Sequence, residues 1–214
     1  MPNVKICGVT RPEAVDAALA GGARFIGLVF FPKSPRHVSL ESAAALAARA
    51  RGRAEIAAVT VNASDAELAA IAKAVQPDWI QLHGDESVAR TAAARAFGKV
   101  IKAIAVSGRA DLDAAAAFEP AADMLLFDAK APAGADRPGG LGAAFDWKLL
   151  EGRRFSRPWM LSGGLTPENV GEAIRASGAD FVDASSSLES APGLKDPARI
   201  AAFLAAAHKI AETV

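Results

Sequence analysis

Large apolar residues fall along this chain in short bursts, separated by longer polar and alanine-rich stretches. The bursts occupy residues 4–7, 25–30, 56–61, 79–82, 100–106, 124–127, 159–161 and 181–182. Several are nearly continuous rather than alternating, the pattern of strands buried on both faces. Between them lie stretches with helical character at 13–20, 40–50, 86–97 and 197–210, the last with Asp196 as its cap. Ser64 or Asp65 caps a further segment running to residue 75, and Thr166-Pro167-Glu168-Asn169 reads as a helix start with proline in the first turn. Weaker or shorter helices are expected around 118–119 and 145–150. Strand candidates recur roughly every 25 residues, the spacing of a βα unit. The pattern predicts an α/β fold with one domain over residues 1–214. A (β/α)8 TIM barrel near the lower end of its size range fits, and a doubly wound open sheet is the rival that spacing alone does not exclude.

Composition sharpens the helical part of this picture. Alanine supplies 52 of the 214 residues and is concentrated between the bursts, as at 43–45, 92–94 and 205–207. Small side chains there suit short helices lying close on an inner sheet. The 24 basic and 24 acidic residues cancel, which argues against nucleic acid as a partner. No stretch is apolar enough for a membrane span, and the first residues show no secretory leader, so a soluble, cytoplasmic protein is expected. The balanced charge is compatible with a monomer or a homodimer. Cys7 is the single cysteine, which excludes an internal disulfide or a multi-cysteine metal site. His37, His83 and His208 lack ligand spacing, so no metal is expected.

Residues able to do chemistry cluster where strands end. Cys7 closes the first strand, His83 the fourth and Asp128 the sixth; Ser162-Gly163-Gly164 follows the seventh and Asp183-Ala184-Ser185-Ser186-Ser187 ends the eighth. In a barrel these ends converge on one rim. Cys7 reads either as a small core residue or as a nucleophile or general base, the latter requiring a thiol made acidic by a cation or backbone N–H groups. Asp128 either caps a turn or donates a proton beside the apolar interior. Gly163, Gly164, Ser185 and Ser186 form either plain turns or an anion site of exposed backbone N–H groups. Arg36, between Pro35 and His37, is either a surface arginine or a bidentate partner for a substrate carboxylate. Loops at 31–39 and 130–144 are longer than connection requires and would open on the same rim.

Lys5-Ile6-Cys7-Gly8 with Thr10, Ser34-Pro35-Arg36, Gln81-Leu82-His83-Gly84, Phe127-Asp128, Phe145-Asp146-Trp147, Leu161 to Leu165 and Gly193-Leu194-Lys195-Asp196 occur together in this order. In that combination the chain resembles the phosphoribosylanthranilate isomerases over nearly its full length. The resemblance implies a (β/α)8 barrel that converts N-(5-phospho-β-D-ribosyl)anthranilate into 1-(2-carboxyphenylamino)-1-deoxy-D-ribulose 5-phosphate. The reaction is an Amadori rearrangement needing no cofactor. Carried over by position, it implies Asp128 as general acid, Cys7 as general base and Arg36 as partner of the anthranilate carboxylate. Gly163, Gly164, Ser185 and Ser186 are implied for the phosphate, and His83 and Asp183 complete the substrate-binding set.

Two positions depart from the family pattern. Ser187 stands where a glycine is usual, and Leu141 where a threonine is usual in the sixth loop. The first is expected to alter the phosphate loop and the second to lose a polar contact. Two other readings compete. A related aminoaldose isomerase of histidine synthesis would carry aspartate in place of Cys7. A non-catalytic phosphate-binding barrel would not require Cys7, Arg36 and Asp128 together.

Overall fold

In the computed structural model, which describes residues 1–131, 134–135, 139, 142 and 144–209, eight parallel strands close into a barrel in sequence order. They are β1 (Asn3–Cys7), β2 (Phe25–Phe30), β3 (Glu55–Thr60), β4 (Trp79–Leu82), β5 (Lys99–Val106), β6 (Met124–Ala129), β7 (Trp159–Leu161) and β8 (Phe181–Ala184). Closure is by β1 on β8, with Val4 opposite Val182. That pairing separates the barrel from an open sheet.

Residues alternate along each strand. In β1 and β2, Val4, Ile6, Ile26 and Leu28 face the helices, and Phe25 packs inside with Ala57, Trp79, Ile101, Met124, Leu126 and Met160. Both faces are therefore buried, which is why the bursts are nearly continuous. Each large side chain so buried contributes roughly 1.5–3 kcal/mol of hydrophobic stabilisation. Above the inner layer, Cys7, Val29 and Val59 form a separate apolar cluster at the mouth of the barrel.

The helices are α1 (Pro12–Ala20), α2 (Leu40–Ala50), α3 (Asp65–Val75), α4 (Val88–Ala94), α5 (Arg109–Ala115), α6 (Val170–Ser177) and α7 (Pro197–His208). In α2 the buried residues are Ala43, Leu46, Ala47 and Ala50, and in α7 they are Ile200, Phe203, Leu204 and Ala207. This i, i+3, i+4, i+7 spacing puts one stripe on the barrel. Small residues permit the close approach: a Cβ on Gly21, just past α1, would lie 2.4 Å from Leu204 Cδ1 of α7.

Several boundaries differ from the sequence expectation. The helix expected from Thr166 begins at Val170. Thr166 instead heads a turn, with its hydroxyl accepting from the Glu168 N–H at 3.2 Å and its own N–H donating to Asn169 Oδ1 at 2.8 Å. The helix expected from residue 86 starts after the Ser87 cap, because the Glu86 carboxylate is taken by loop N–H groups. After β5, α5 lies earlier than expected and passes into a 3-10 turn at Ala116–Phe118. Ser64 caps α3 through a reciprocal box with Glu67, and Asp196 caps α7. Ile210, expected to end the last helix, lies outside the described residues.

An antiparallel hairpin, β9 (Glu189–Ala191) and β10 (Leu194–Lys195), sits between β8 and α7. The hydrophobic pattern does not reveal it. Its sequence signal is the Pro192-Gly193 pair, with Gly193 at φ +81° supplying the left-handed turn residue. Among the described residues no helix is long and apolar enough to cross a membrane.

Candidate active site

Cys7, Arg36, His83, Asp128, Gly163, Gly164, Asp183, Ser185 and Ser186 all line one open cavity at the C-terminal end of the barrel. Strand polarity explains the convergence: every strand of a parallel barrel ends on the same rim.

The Cys7 thiol turns inward because β2 leaves room for it. A Cβ on Gly27 would sit 2.9 Å from Cys7 Sγ and 3.0 Å from its Cα. Below it, the fully buried Lys5 ammonium donates to Asp183 Oδ1 at 3.0 Å, and Ser162 Oγ donates to Asp183 Oδ2 at 3.2 Å. Burial pushes the Cys7 thiol above its ordinary range; the Lys5 and Lys195 cations pull it down and the Asp183 carboxylate pushes it up. The depression that a thiolate base requires is therefore not supplied by this environment, in which desolvation outweighs the two cations.

Asp128 lies at the end of β6 as expected, followed within the strand only by Ala129, and it is 7% exposed. Its Oδ1 accepts from the Ala129 N–H at 2.9 Å, and Oδ2 lies 3.2 Å from His83 Nε2. His83 Nδ1 faces the Gln81 amide nitrogen at 2.9 Å. With the Gln81 amide in this orientation its N–H donates to Nδ1, the arrangement that leaves a ring proton on Nε2 facing Asp128. Gln81 is fully buried at the end of β4, a contributor that the chemistry of a neutral amide did not advertise. Gly139 closes over the pair: a Cβ there would fall 2.6 Å from His83 Nε2 and 2.8 Å from Asp128 Oδ2.

Gly163 and Gly164 take φ +90° and +63°, conformations that bare backbone N–H groups at the cavity wall. Asn169 Nδ2 holds this loop by donating to Gly164 O at 2.9 Å. Across from it, Ser185 Oγ donates to Cys7 O at 3.0 Å, which ties the eighth loop to the end of β1. Ser187 does not distort its loop. Residues 186–188 form a 3-10 turn without positive φ at Ser187, whose hydroxyl donates to Leu165 O at 2.5 Å. No glycine is required there. Gly142 lines the cavity, whereas Gly140 and Leu141 lie outside the described residues.

Arg36 is buried rather than a surface arginine. Its Nε and Nη2 donate to the two oxygens of Glu189 at 2.6 and 2.9 Å. Glu189 escaped the sequence reading because the pair is separated by 153 positions. An apolar part of the cavity wall is built by Val29, Phe31, Val59 and Val61.

The site thus sets a thiol and a carboxyl on one cavity, which the glycine loop after β7, the serines after β8, Arg36 and an apolar cluster around Val29 and Val59 also line. A family model described as N-(5'phosphoribosyl)anthranilate (PRA) isomerase matches residues 4–206. The N-(5'-phosphoribosyl)anthranilate isomerase of Rhodopseudomonas palustris is 55% identical over 208 residues, covering 96% of this chain and 95% of that one. The crystal structure of phosphoribosyl anthranilate isomerase from Thermotoga maritima superposes with a TM-score of 0.88 at 35% identity, covering 98% of this chain and all of the other. A second isomerase structure, in complex with reduced 1-(o-carboxyphenylamino)-1-deoxyribulose 5-phosphate, gives a TM-score of 0.84 at 32% identity and covers 98% and 100%. On the matched family model and the full-length similarity, this chain belongs to the N-(5'-phosphoribosyl)anthranilate isomerase family.

Proposed function

We propose that this cavity converts N-(5-phospho-β-D-ribosyl)anthranilate into 1-(2-carboxyphenylamino)-1-deoxy-D-ribulose 5-phosphate, with Asp128 as acid and Cys7 as base. The carrying observation is that Cys7 on β1 and Asp128 on β6 face the same cavity from separate strands.

Asp128 protonates the furanose ring oxygen, and the anilino nitrogen lone pair opens the ring to a protonated Schiff base. As the proton leaves, the new carboxylate accepts from His83 Nε2–H and the Ala129 N–H, already in place at 3.2 and 2.9 Å. Donors aimed at charge that develops during the step favour the transition state over the ground state. The iminium carbon acidifies the C2′ proton, which Cys7 removes as thiolate to give the enolamine. Tautomerisation yields the ketose. One proton leaves Asp128 and one arrives at Cys7, so the two groups reset by exchange through solvent.

Gly163, Gly164, Ser185 and Ser186 bind the phosphate, and binding energy from that remote group holds C2′ against the thiol. The aryl ring lies along Val29 and Val59 with its carboxylate toward Arg36. Asp183, fixed by Lys5 and Ser162, faces the sugar. A thiol base fits a reducing, cytoplasmic setting.

The test is turnover followed by loss of substrate fluorescence. The chain turns the substrate over, while Cys7→Ala and Asp128→Ala each lose activity by roughly a hundredfold or more. Full activity in either variant removes that residue from its role, and an inactive native chain returns the fold to a binding function.

A further inference from the structure

The β9–β10 hairpin supplies neither the proposed acid nor the proposed base, yet it buries two charged side chains, Glu189 at 5% and Lys195 at 1% exposure. Glu189 Oε1 accepts from Arg36 Nε at 2.6 Å and from Lys195 Nζ at 2.5 Å. Its Oε2 accepts from Arg36 Nη2 at 2.9 Å and from the Gly193 N–H at 3.2 Å. Resting on the reading of Arg36 as the carboxylate's partner, we propose that Glu189 is a positioning residue for Arg36. Together with Lys195 it sets the selectivity of the site for an aryl amine that bears a carboxylate.

Geometry and charge both carry this. A guanidinium offers five N–H donors on two bidentate edges. Glu189 occupies the side edge formed by Nε and Nη2, so the end edge formed by Nη1 and Nη2 is the one left for a second carboxylate. Rotation about the guanidinium is thereby removed before substrate arrives, and the ordering cost is met in the folded protein. Arg36 and Glu189 alone would form a neutral pair. The Lys195 ammonium restores one net positive charge to the cluster, so an incoming carboxylate meets an attractive potential.

Two glycines keep the arginine in place by what they lack. A Cβ on Gly8 would lie 2.4 Å from Arg36 Cδ, and one on Gly193 would lie 2.2 Å from Pro35 O. Gly193 O in turn accepts from Thr10 Oγ1 at 2.9 Å, which fastens the hairpin to the loop after β1. This gives a role to the Gly193-Leu194-Lys195 motif that the acid–base reading leaves unused.

The experiment compares two substrates, N-(5-phosphoribosyl)anthranilate and N-(5-phosphoribosyl)aniline, which lacks the carboxylate. For Glu189→Gln, KM for the anthranilate substrate rises roughly tenfold while kcat changes little, as expected from losing one charge-assisted bond. The preference for anthranilate over aniline in kcat/KM falls by the same factor. A residue that only holds the fold together would lower both substrates alike, so an unchanged preference overturns the proposal. Lys195→Met leaves the Arg36–Glu189 pair in place and lowers the preference in the same direction. It decides the matter if Glu189→Gln fails to fold, and an unchanged preference there also overturns the proposal. Arg36→Met separates the two levels: if it retains the preference, the reading of Arg36 fails. If it abolishes the preference and Glu189→Gln does not, only the positioning role fails.

Discussion

Cys7 shows how one residue's surroundings govern the pH at which the site works. For Cys7 to act as the proposed base its thiol must first lose a proton, and burial holds that proton on more tightly than in water. Activity therefore climbs as pH rises through a value above the ordinary thiol range, and kcat/KM measured against pH gives its acid limb there. A limb that levels off below neutral pH would assign the base to another group. Gly27 is the second residue with a sharp consequence. Gly27→Ala places a methyl 2.9 Å from Cys7 Sγ and 3.0 Å from Cys7 Cα, so backbone as well as thiol must move. The expected result is a loss of roughly 1–3 kcal/mol of stability by denaturant melt, with a marked fall in kcat. Cys7 and Asp128 were legible in the sequence because each terminates an apolar run, and parallel strands send such ends to one rim. Arg36 was singled out by resemblance, but its burial was not legible, since Glu189 comes from 153 positions away. Lys5 and Gln81 were hidden as well. Lys5 announces itself only through a partner on another strand, Asp183, and Gln81, two positions before His83, is a neutral amide with no charge to mark it.

Single elements carry the site by holding loops against the ends of strands. The loop between β4 and α4 contains His83 and is tied to β5 by a buried pair. Lys102 Nζ donates to Glu86 Oε2 and to Gly84 O, both at 2.7 Å, while Glu86 Oε1 accepts from the Asn62 N–H at 2.8 Å. Burial pushes the Glu86 carboxyl up, but Lys102 and the loop N–H groups outweigh it and leave it below the ordinary range. A depressed carboxyl contributes stability that is fully present above its unfolded value of about 4.3 and is lost as pH falls through the folded value. Glu86→Gln leaves the Lys102 charge buried without its partner, for a loss of roughly 3 kcal/mol. Denaturant melts at pH 7 and in mild acid check both statements: the gap between the two proteins narrows in acid, and a gap independent of pH would remove the ion pair as its cause. Element boundaries were readable from the sequence where a cap is local, as with Ser64 and Glu67, which sit three residues apart and bond reciprocally. They were misread where the capping side chain had another use. Thr166 closes a turn that Asn169 binds to the glycine loop, and Glu86 serves Asn62 and Lys102 rather than starting a helix. The β9–β10 hairpin went unread because its two short strands bury charged residues, Glu189 and Lys195, and carry no hydrophobic period.

At the scale of the whole barrel, closure and ligand binding act on the same seam. Hydrophobic spacing foretold eight βα units but not that the sheet closes, because closure depends on β1 meeting β8 across nearly the full length of the chain. Along the barrel, β2 and β3 pair through six residues, whereas β7 and β8 are registered by a single pair, Leu161 opposite Val182. The loops that follow these two strands are the ones assigned to phosphate, with Gly163 and Gly164 after β7 and Ser185 and Ser186 after β8. An anion shared between them bridges the least extensively paired seam on its C-terminal side. Binding to the folded state alone stabilises by about 2.7 kcal/mol when ligand is at a hundred times its dissociation constant. Inorganic phosphate, which lacks the sugar and aryl contacts, therefore raises Tm as its concentration increases, and chloride at equal ionic strength does not. Ser186→Glu puts a carboxylate where the phosphate is proposed to bind, at a partly exposed position without positive φ. That variant keeps the Tm of the phosphate-free protein to within a few degrees and loses the phosphate increment. A native chain whose Tm ignores phosphate, or a variant that still responds in full, moves the anion away from these two loops. Either result would also separate the barrel's weakest pairing from its function, because ligand would then stabilise the fold through some other pair of strands.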